Sequence, residues 1–92
     1  MATQKLTIRV IYTGNVQGVG FRASTKAVAK RYPVTGYVRN LPDRTVELVL
    51  CGTDADLQQV LDEVQSAFKR NITNANKSMA VIDAVPDQFK IL

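Results

Sequence analysis

Two runs rich in apolar and β-branched residues, Val34 to Leu41 and Thr45 to Cys51, are separated by only Pro42, Asp43 and Arg44. So short a link, with proline set for a turn, joins two strands as an antiparallel hairpin, because a parallel return needs a crossover of a dozen residues or more. That junction excludes a doubly wound parallel sheet. The second run places Val46, Leu48 and Leu50 on one face, and Gly52 ends the alternation.

The flanking segments complete the order. Lys5 to Tyr12 alternates Leu6, Ile8, Val10 and Tyr12 against Thr7, Arg9 and Ile11, a strand with one buried face. Phe21, Thr25, Val28 and Tyr32 share one face of a helix that Pro33 ends, since the residue before a proline is pushed out of the α region. Thr53-Asp54-Ala55-Asp56 reads as a capping box opening a second helix, with an apolar stripe of Leu57, Val60, Leu61, Val64 and Phe68. Lys69 and Arg70 complement its negative end. Asn71 to Lys77 reads as a polar loop, and Met79 to Val85 and Gln88 to Leu92 as one or two closing strands. Two helices cannot cover both faces of a small sheet. The β-α-β-β-α-β order therefore predicts an α+β, ferredoxin-like sandwich, an antiparallel sheet of four to five strands with both helices on one face. A chain of 92 residues suits one domain over 1–92, with one core.

Composition narrows the chemistry. The chain has no histidine and a single cysteine, Cys51, which removes Ser-His and Cys-His nucleophiles, an internal disulfide and multi-cysteine metal sites. Cys51 ends an apolar run and reads as a packed small residue. Twelve Lys and Arg against eight Asp and Glu give a net charge of +4, which favours anionic partners without naming one. Arg39, Lys26 and Lys30 read as solvated. The Met-Ala-Thr-Gln start lacks the organisation of a signal peptide, and no apolar run approaches membrane-spanning length. A cytoplasmic setting and no membrane partner are expected.

Between the first strand and the first helix stands GNVQGVGFRAS, Gly14 to Ser24, with three glycines just upstream of Arg22. One reading is dinucleotide binding, because Gly18-Val-Gly20-Phe-Arg-Ala23 matches G-x-G-x-x-A, with Asp43 about 20 residues further on. That acid falls in the hairpin turn, however, and the chain lacks a second mononucleotide-binding half. A second reading is a cradle for one phosphoryl group, with convergent backbone amides at a helix start and a guanidinium beside them. The plainer possibility is a sharp strand-to-helix turn with Arg22 solvated. A cation at the positive end of a helix dipole argues against it.

The run GNVQGVGFR closely resembles the signature of the acylphosphatases, small ferredoxin-like proteins that hydrolyse the carboxyl-phosphate bond of acyl phosphates. TGYVRNLPDRTVELVLCG is similar to the family's second block, a strand, an asparagine and a hairpin, and Phe89-Lys90-Ile91 looks like its end. The resemblance implies a backbone phosphate cradle over Asn15, Val16, Gln17, Gly18, Val19, Gly20 and Phe21, with Arg22 binding the phosphate and Asn40 holding the attacking water. It also implies a small-molecule acyl phosphate substrate, inorganic phosphate as product, no cofactor, no metal and no covalent enzyme intermediate. A monomer without a nucleic-acid partner is expected. Alternation puts Asn40 on the face of Val38, opposite Tyr37 and Arg39. Read without the resemblance, Asn40 is a polar residue near a strand end, of the kind that hydrogen-bonds an adjacent turn.

Three departures from the family stand out. Asn15 occupies a place where a basic or aromatic-ring residue is common, an exchange expected to weaken attraction for phosphate without removing the cradle. Arg44 stands where glycine is common, which predicts a non-glycine at positive φ. RNITNANKSMAV replaces the usual Gly-Pro after the second helix. Two other functions share this fold. An RNA-recognition domain would stack bases on clustered aromatics of the central strands, and Tyr12 and Tyr37 do not form such a run. A domain that binds phosphorylated or carbamoylated compounds without turnover would keep the loop, and phosphate protection without hydrolysis would reveal it.

Overall fold

A computed structural model of the chain describes residues 5–81 and 85–92. Its elements are β1 (Lys5–Gly14), α1 (Phe21–Ala29), β2 (Thr35–Asn40), β3 (Val46–Thr53), α2 (Asp54–Ala67), β4 (Ile72–Met79) and β5 (Phe89–Ile91). The hairpin forms where its turn residues require it. β2 and β3 pair antiparallel from Thr35↔Cys51 to Asn40↔Val46, and Asp43 Oδ1 braces the turn by accepting from Thr45 N and Oγ1. Arg44 has φ 72 and is the one non-glycine at positive φ among the described residues, as expected from its place in the turn.

The strands lie in the order β4-β1-β3-β2-β5. β3 is central, pairing antiparallel with β1 as well, from Lys5↔Thr53 to Tyr12↔Val46. On the helix side, Ile8, Val10, Tyr12, Val38, Val46, Leu48 and Leu50 are buried against Phe21, Val28, Ala29, Leu57, Val60, Leu61 and Val64. Full burial of each large apolar side chain contributes roughly 1.5–3 kcal/mol, the driving force that holds both helices on this one face. α2 starts as a capping box, with Asp56 N donating to Thr53 Oγ1 and that hydroxyl donating to Asp56 Oδ2. Its stripe is the expected one, with Phe68 partly buried at its end.

Three expectations fail at the edges of the sheet. The segment read as a polar loop, Asn71 to Lys77, lies mostly in β4, which pairs antiparallel with β1 from Gly14↔Ile72 to Ile8↔Met79. Its sequence hides it because an edge strand with most residues in water needs backbone pairing rather than apolar alternation, and just Ile72 and Ala75 pack on the core. Of the strand expected over Met79 to Val85, Met79 ends β4, Ala80 and Val81 are outside any strand, and residues 82–84 lie outside the described ones. The closing strand is Phe89–Ile91 and runs parallel to β2, so the sheet is mixed rather than wholly antiparallel.

The face away from the helices carries a charge cluster across three strands. Glu47, 3% exposed, accepts hydrogen bonds from Arg9 Nε and Arg39 Nε, and the Arg39 guanidinium lies 5.8 Å over the Tyr37 ring. Arg39 is exposed, as expected, and is in addition an ion-pair partner. Burial pushes the Glu47 carboxyl up, but hydrogen bonds and charge from the two arginines outweigh it and hold the group below its ordinary value of 4.5. A carboxyl depressed in the folded state contributes stability above its unfolded value and loses that contribution as pH falls through the folded one. Thermal unfolding followed downward from about pH 6 should therefore show the wild-type midpoint falling more steeply below about pH 4.5 than that of Glu47→Gln. Parallel pH profiles for the two proteins would remove Glu47 from the acid response.

Candidate active site

β1 leaves the sheet at a register shift between Thr13 and Gly14, and the chain crosses to α1 through Asn15–Gly20. Gly18 and Gly20 have φ 76 and 79, and a Cβ at either would meet nothing within 4 Å. These two glycines serve the left-handed backbone and not a tight contact. Gly20 caps α1 without a side-chain hydrogen bond, and the first turn of the helix holds no acidic residue. The positive end of α1 is thus uncompensated by the protein, while α2 carries Thr53, Asp54 and Asp56 at its own start.

Phe21 fixes the direction of that helix start. It is 1% exposed, with its ring 5.1 Å from Tyr12 and 4.8 Å from Phe68 between centroids. The next residue, Arg22, lines a cavity of about 180 Å³ together with Val16, Gly18, Gly20, Phe21, Ala23, Asn40 and Ile91. Arg22 and Asn40 come from different elements and meet on one cavity because Asn40 ends β2 on the helix-facing side, as alternation from Val38 requires. Arg22 Nη1 also donates to Leu92 O at 3.4 Å.

The remaining residues of the expected cradle divide. Val16 is buried at 1% exposure, and its side chain is core as well as wall. Val19 is 38% exposed and lines neither cavity that flanks the loop. Asn15 and Gln17 front a second cavity of about 460 Å³, with Gly14 and Arg44. Gln17 also has a task that its sequence context did not reveal: Nε2 donates to Leu41 O at 2.9 Å and to Thr45 O at 2.8 Å, tying the loop to the hairpin. At the other end, Asn15 N donates to Asn71 O at 2.9 Å, and Asn71 Nδ2 donates back to Asn15 O at 3.0 Å. Neither tie has a sequence signature, because each joins residues far apart in the chain. Among the described residues no group of three or more His, Cys, Asp and Glu side chains converges, and no helix is long and apolar enough to cross a membrane.

The family model described as Acylphosphatase matches residues 8–91, which include the whole loop, Arg22 and Asn40. The chain belongs to the acylphosphatase family. An acylphosphatase of Rhizobium etli is 30% identical over 92 residues, covering 99% of this chain and 98% of that one. One of Chromohalobacter salexigens is 55% identical over 49 residues, 53% of this chain and 54% of the relative, so that match spans about half of the relative's length. Among solved structures, the acylphosphatase from Bacillus subtilis superposes with a TM-score of 0.81 at 27% identity, covering 95% of this chain and 98% of that one.

In this acylphosphatase-family chain, Gln17 is the side chain whose removal should loosen the loop most. Gln17→Leu keeps the bulk and deletes two donors, leaving Leu41 O with just the Arg44 amide and Thr45 O with just the Leu41 amide. A loss of about 1–3 kcal/mol in urea unfolding is expected. Unchanged stability would mean that water replaces the amide at no cost.

Proposed function

We propose that the protein is an acylphosphatase that hydrolyses the carboxyl-phosphate bond of acyl phosphates without a metal. The observation that carries this reading is the meeting of Arg22, Asn40 and the left-handed glycines Gly18 and Gly20 on one small cavity at an uncapped helix start. Phosphoryl transfer asks a protein for positioning and for stabilisation of charge on the equatorial oxygens, and little else. Backbone amides of Val16 to Phe21 and the guanidinium of Arg22 hold those oxygens, the guanidinium through its planar fork of donors, while the Asn15 amide expected in the cradle is already given to Asn71 O. The dipole of α1 adds to the same field.

Asn40 holds the water. A carboxamide both accepts and donates hydrogen bonds, so it can present a lone pair of the water oxygen to phosphorus in line with the leaving carboxylate. The water oxygen bonds to phosphorus as the bond from phosphorus to the acyl oxygen breaks. The acyl group departs with that electron pair as a carboxylate, and the water's protons remain with the released phosphate. A carboxylate is a good leaving group, which suits a site without histidine or another strong base. The phosphate's own oxygen can take the proton.

Incubation with benzoyl phosphate should release inorganic phosphate at the same rate with and without EDTA. Asn40→Ala is expected to lower kcat roughly 10²–10³-fold with little change in KM, since it acts on the attacking water. Arg22→Ala is expected to raise KM as well, because the guanidinium holds the phosphate in the ground state too. Wild-type turnover in both variants would remove the mechanism, and phosphate protection against unfolding without hydrolysis would identify a binding domain instead.

A further inference from the structure

The second cavity has a use that phosphate binding does not claim. It measures about 460 Å³, is bounded by Gly14, Asn15, Gln17 and Arg44, and holds no carboxylate in its lining. Arg44 reaches it from the hairpin with a backbone at φ 72, a conformation that glycine adopts at far lower cost. Strained positions that persist point to a role for the side chain they carry. Its guanidinium is unpaired among the described ion pairs, and the neighbouring Asp43 is engaged by Thr45 N and Oγ1. Asn15 adds an amide whose side chain makes no hydrogen bond among those of the described residues, its backbone alone being used by Asn71. A cation and an amide on a polar, acid-free wall suit a carboxylate.

The same loop fronts both cavities. Val16 lines the smaller one and Gln17 the larger, and consecutive Cα atoms are about 3.8 Å apart. We propose that the cavity at Arg44 is a second anion subsite that takes a carboxylate carried on the acyl part of the substrate. The preferred substrates are accordingly monoacyl phosphates of short dicarboxylic acids. The proposal rests on the acylphosphatase reading of Arg22 and Asn40 and deepens it by naming the acyl group.

Succinyl phosphate and butyryl phosphate separate the two, since they share a four-carbon acyl chain and differ in the terminal carboxylate. Wild-type protein should show kcat/KM roughly three- to tenfold higher for succinyl phosphate, the size of a charge-assisted contact in a partly wet site. Arg44→Gly removes the guanidinium and relieves the positive φ, so a folding defect does not confound it, and it should bring the ratio to about one. Arg44→Lys should retain part of the preference, and added salt should shrink it in the wild type and in Arg44→Lys but not change the ratio in Arg44→Gly. Equal use of both substrates by the wild type, or a preference that survives Arg44→Gly, overturns the subsite and leaves the acylphosphatase reading standing. Failure to hydrolyse either substrate overturns both.

Discussion

Backbone pairing registers the end of β1 against Asn40 through the row Tyr12, Val46 and Asn40, but it stops where the glycine loop leaves β1. The loop follows β1, Asn40 ends β2, and β3 lies between those strands in the sheet. What spans the gap is the amide of Gln17, donating to Leu41 O and Thr45 O, the residue after Asn40 and the residue before β3. Thr45 O already accepts from Leu41 N across the turn, so the side chain joins an existing hydrogen-bonded ring and does not compete with it. Two part-buried carbonyls facing two donors on one nitrogen is an arrangement a carboxylate could not replace, since it would set acceptor against acceptor. The loop thereby acquires a fixed registration against the strand end that completes the site.

Electrostatics follow from the same local geometry. α2 meets its positive end with a capping threonine and two aspartates, and α1 meets its own with a glycine and an arginine. A helix start without an internal anion, next to a guanidinium, concentrates positive potential in the cavity of about 180 Å³. The cost of that potential is held down by hydrophobic anchoring close by: Phe21 stacks on Tyr12 and Phe68, and burial alone pushes the Tyr12 hydroxyl well above its ordinary value, so it stays neutral. Rigid apolar packing behind a wet cationic front is the arrangement that keeps donors aimed before the substrate arrives.

Much of this was legible in the chain. The hairpin followed from three turn residues, α2 from its capping box and stripe, and the positive φ of Arg44 from its place in the turn. The glycines before Arg22 singled it out and the resemblance to the acylphosphatases singled out Asn40, alternation giving just its face, and the two line one cavity. The edges were not. β4 is polar because most of its residues are in water, and β5, inside the closing strand expected over Gln88 to Leu92, pairs parallel to β2 and not antiparallel. The second anchor of Arg39 escaped as well, since an ion pair to a carboxylate on the next strand depends on register, not on local composition. The tethers of the loop escaped for the same reason: Gln17 and Asn71 act on residues 24 to 56 positions away.

The segment that departs most from the family's usual pattern holds the start of the loop, and Phe68 just before it holds the finish. After α2, Asn71 N and Ile72 N both donate to Phe68 O, which turns the chain sharply and presents Asn71 to the end of β1. There the backbone of Gly14, at φ 128, lies so close that a Cβ would sit 2.2 Å from Asn71 O, and Asn15 exchanges hydrogen bonds with Asn71. Three residues earlier on the same turn, the ring of Phe68 packs on Phe21, where the loop ends and α1 begins. The start and the finish of the loop are thus fixed to one short stretch, 68–71, at the end of α2. Fixing both ends of a glycine-rich loop to one support restricts the backbone freedom that its glycines would otherwise keep. Asn71 therefore supplies here, through its side-chain amide and a close-packed glycine, the restraint that a Gly-Pro turn would supply through its own stiffness.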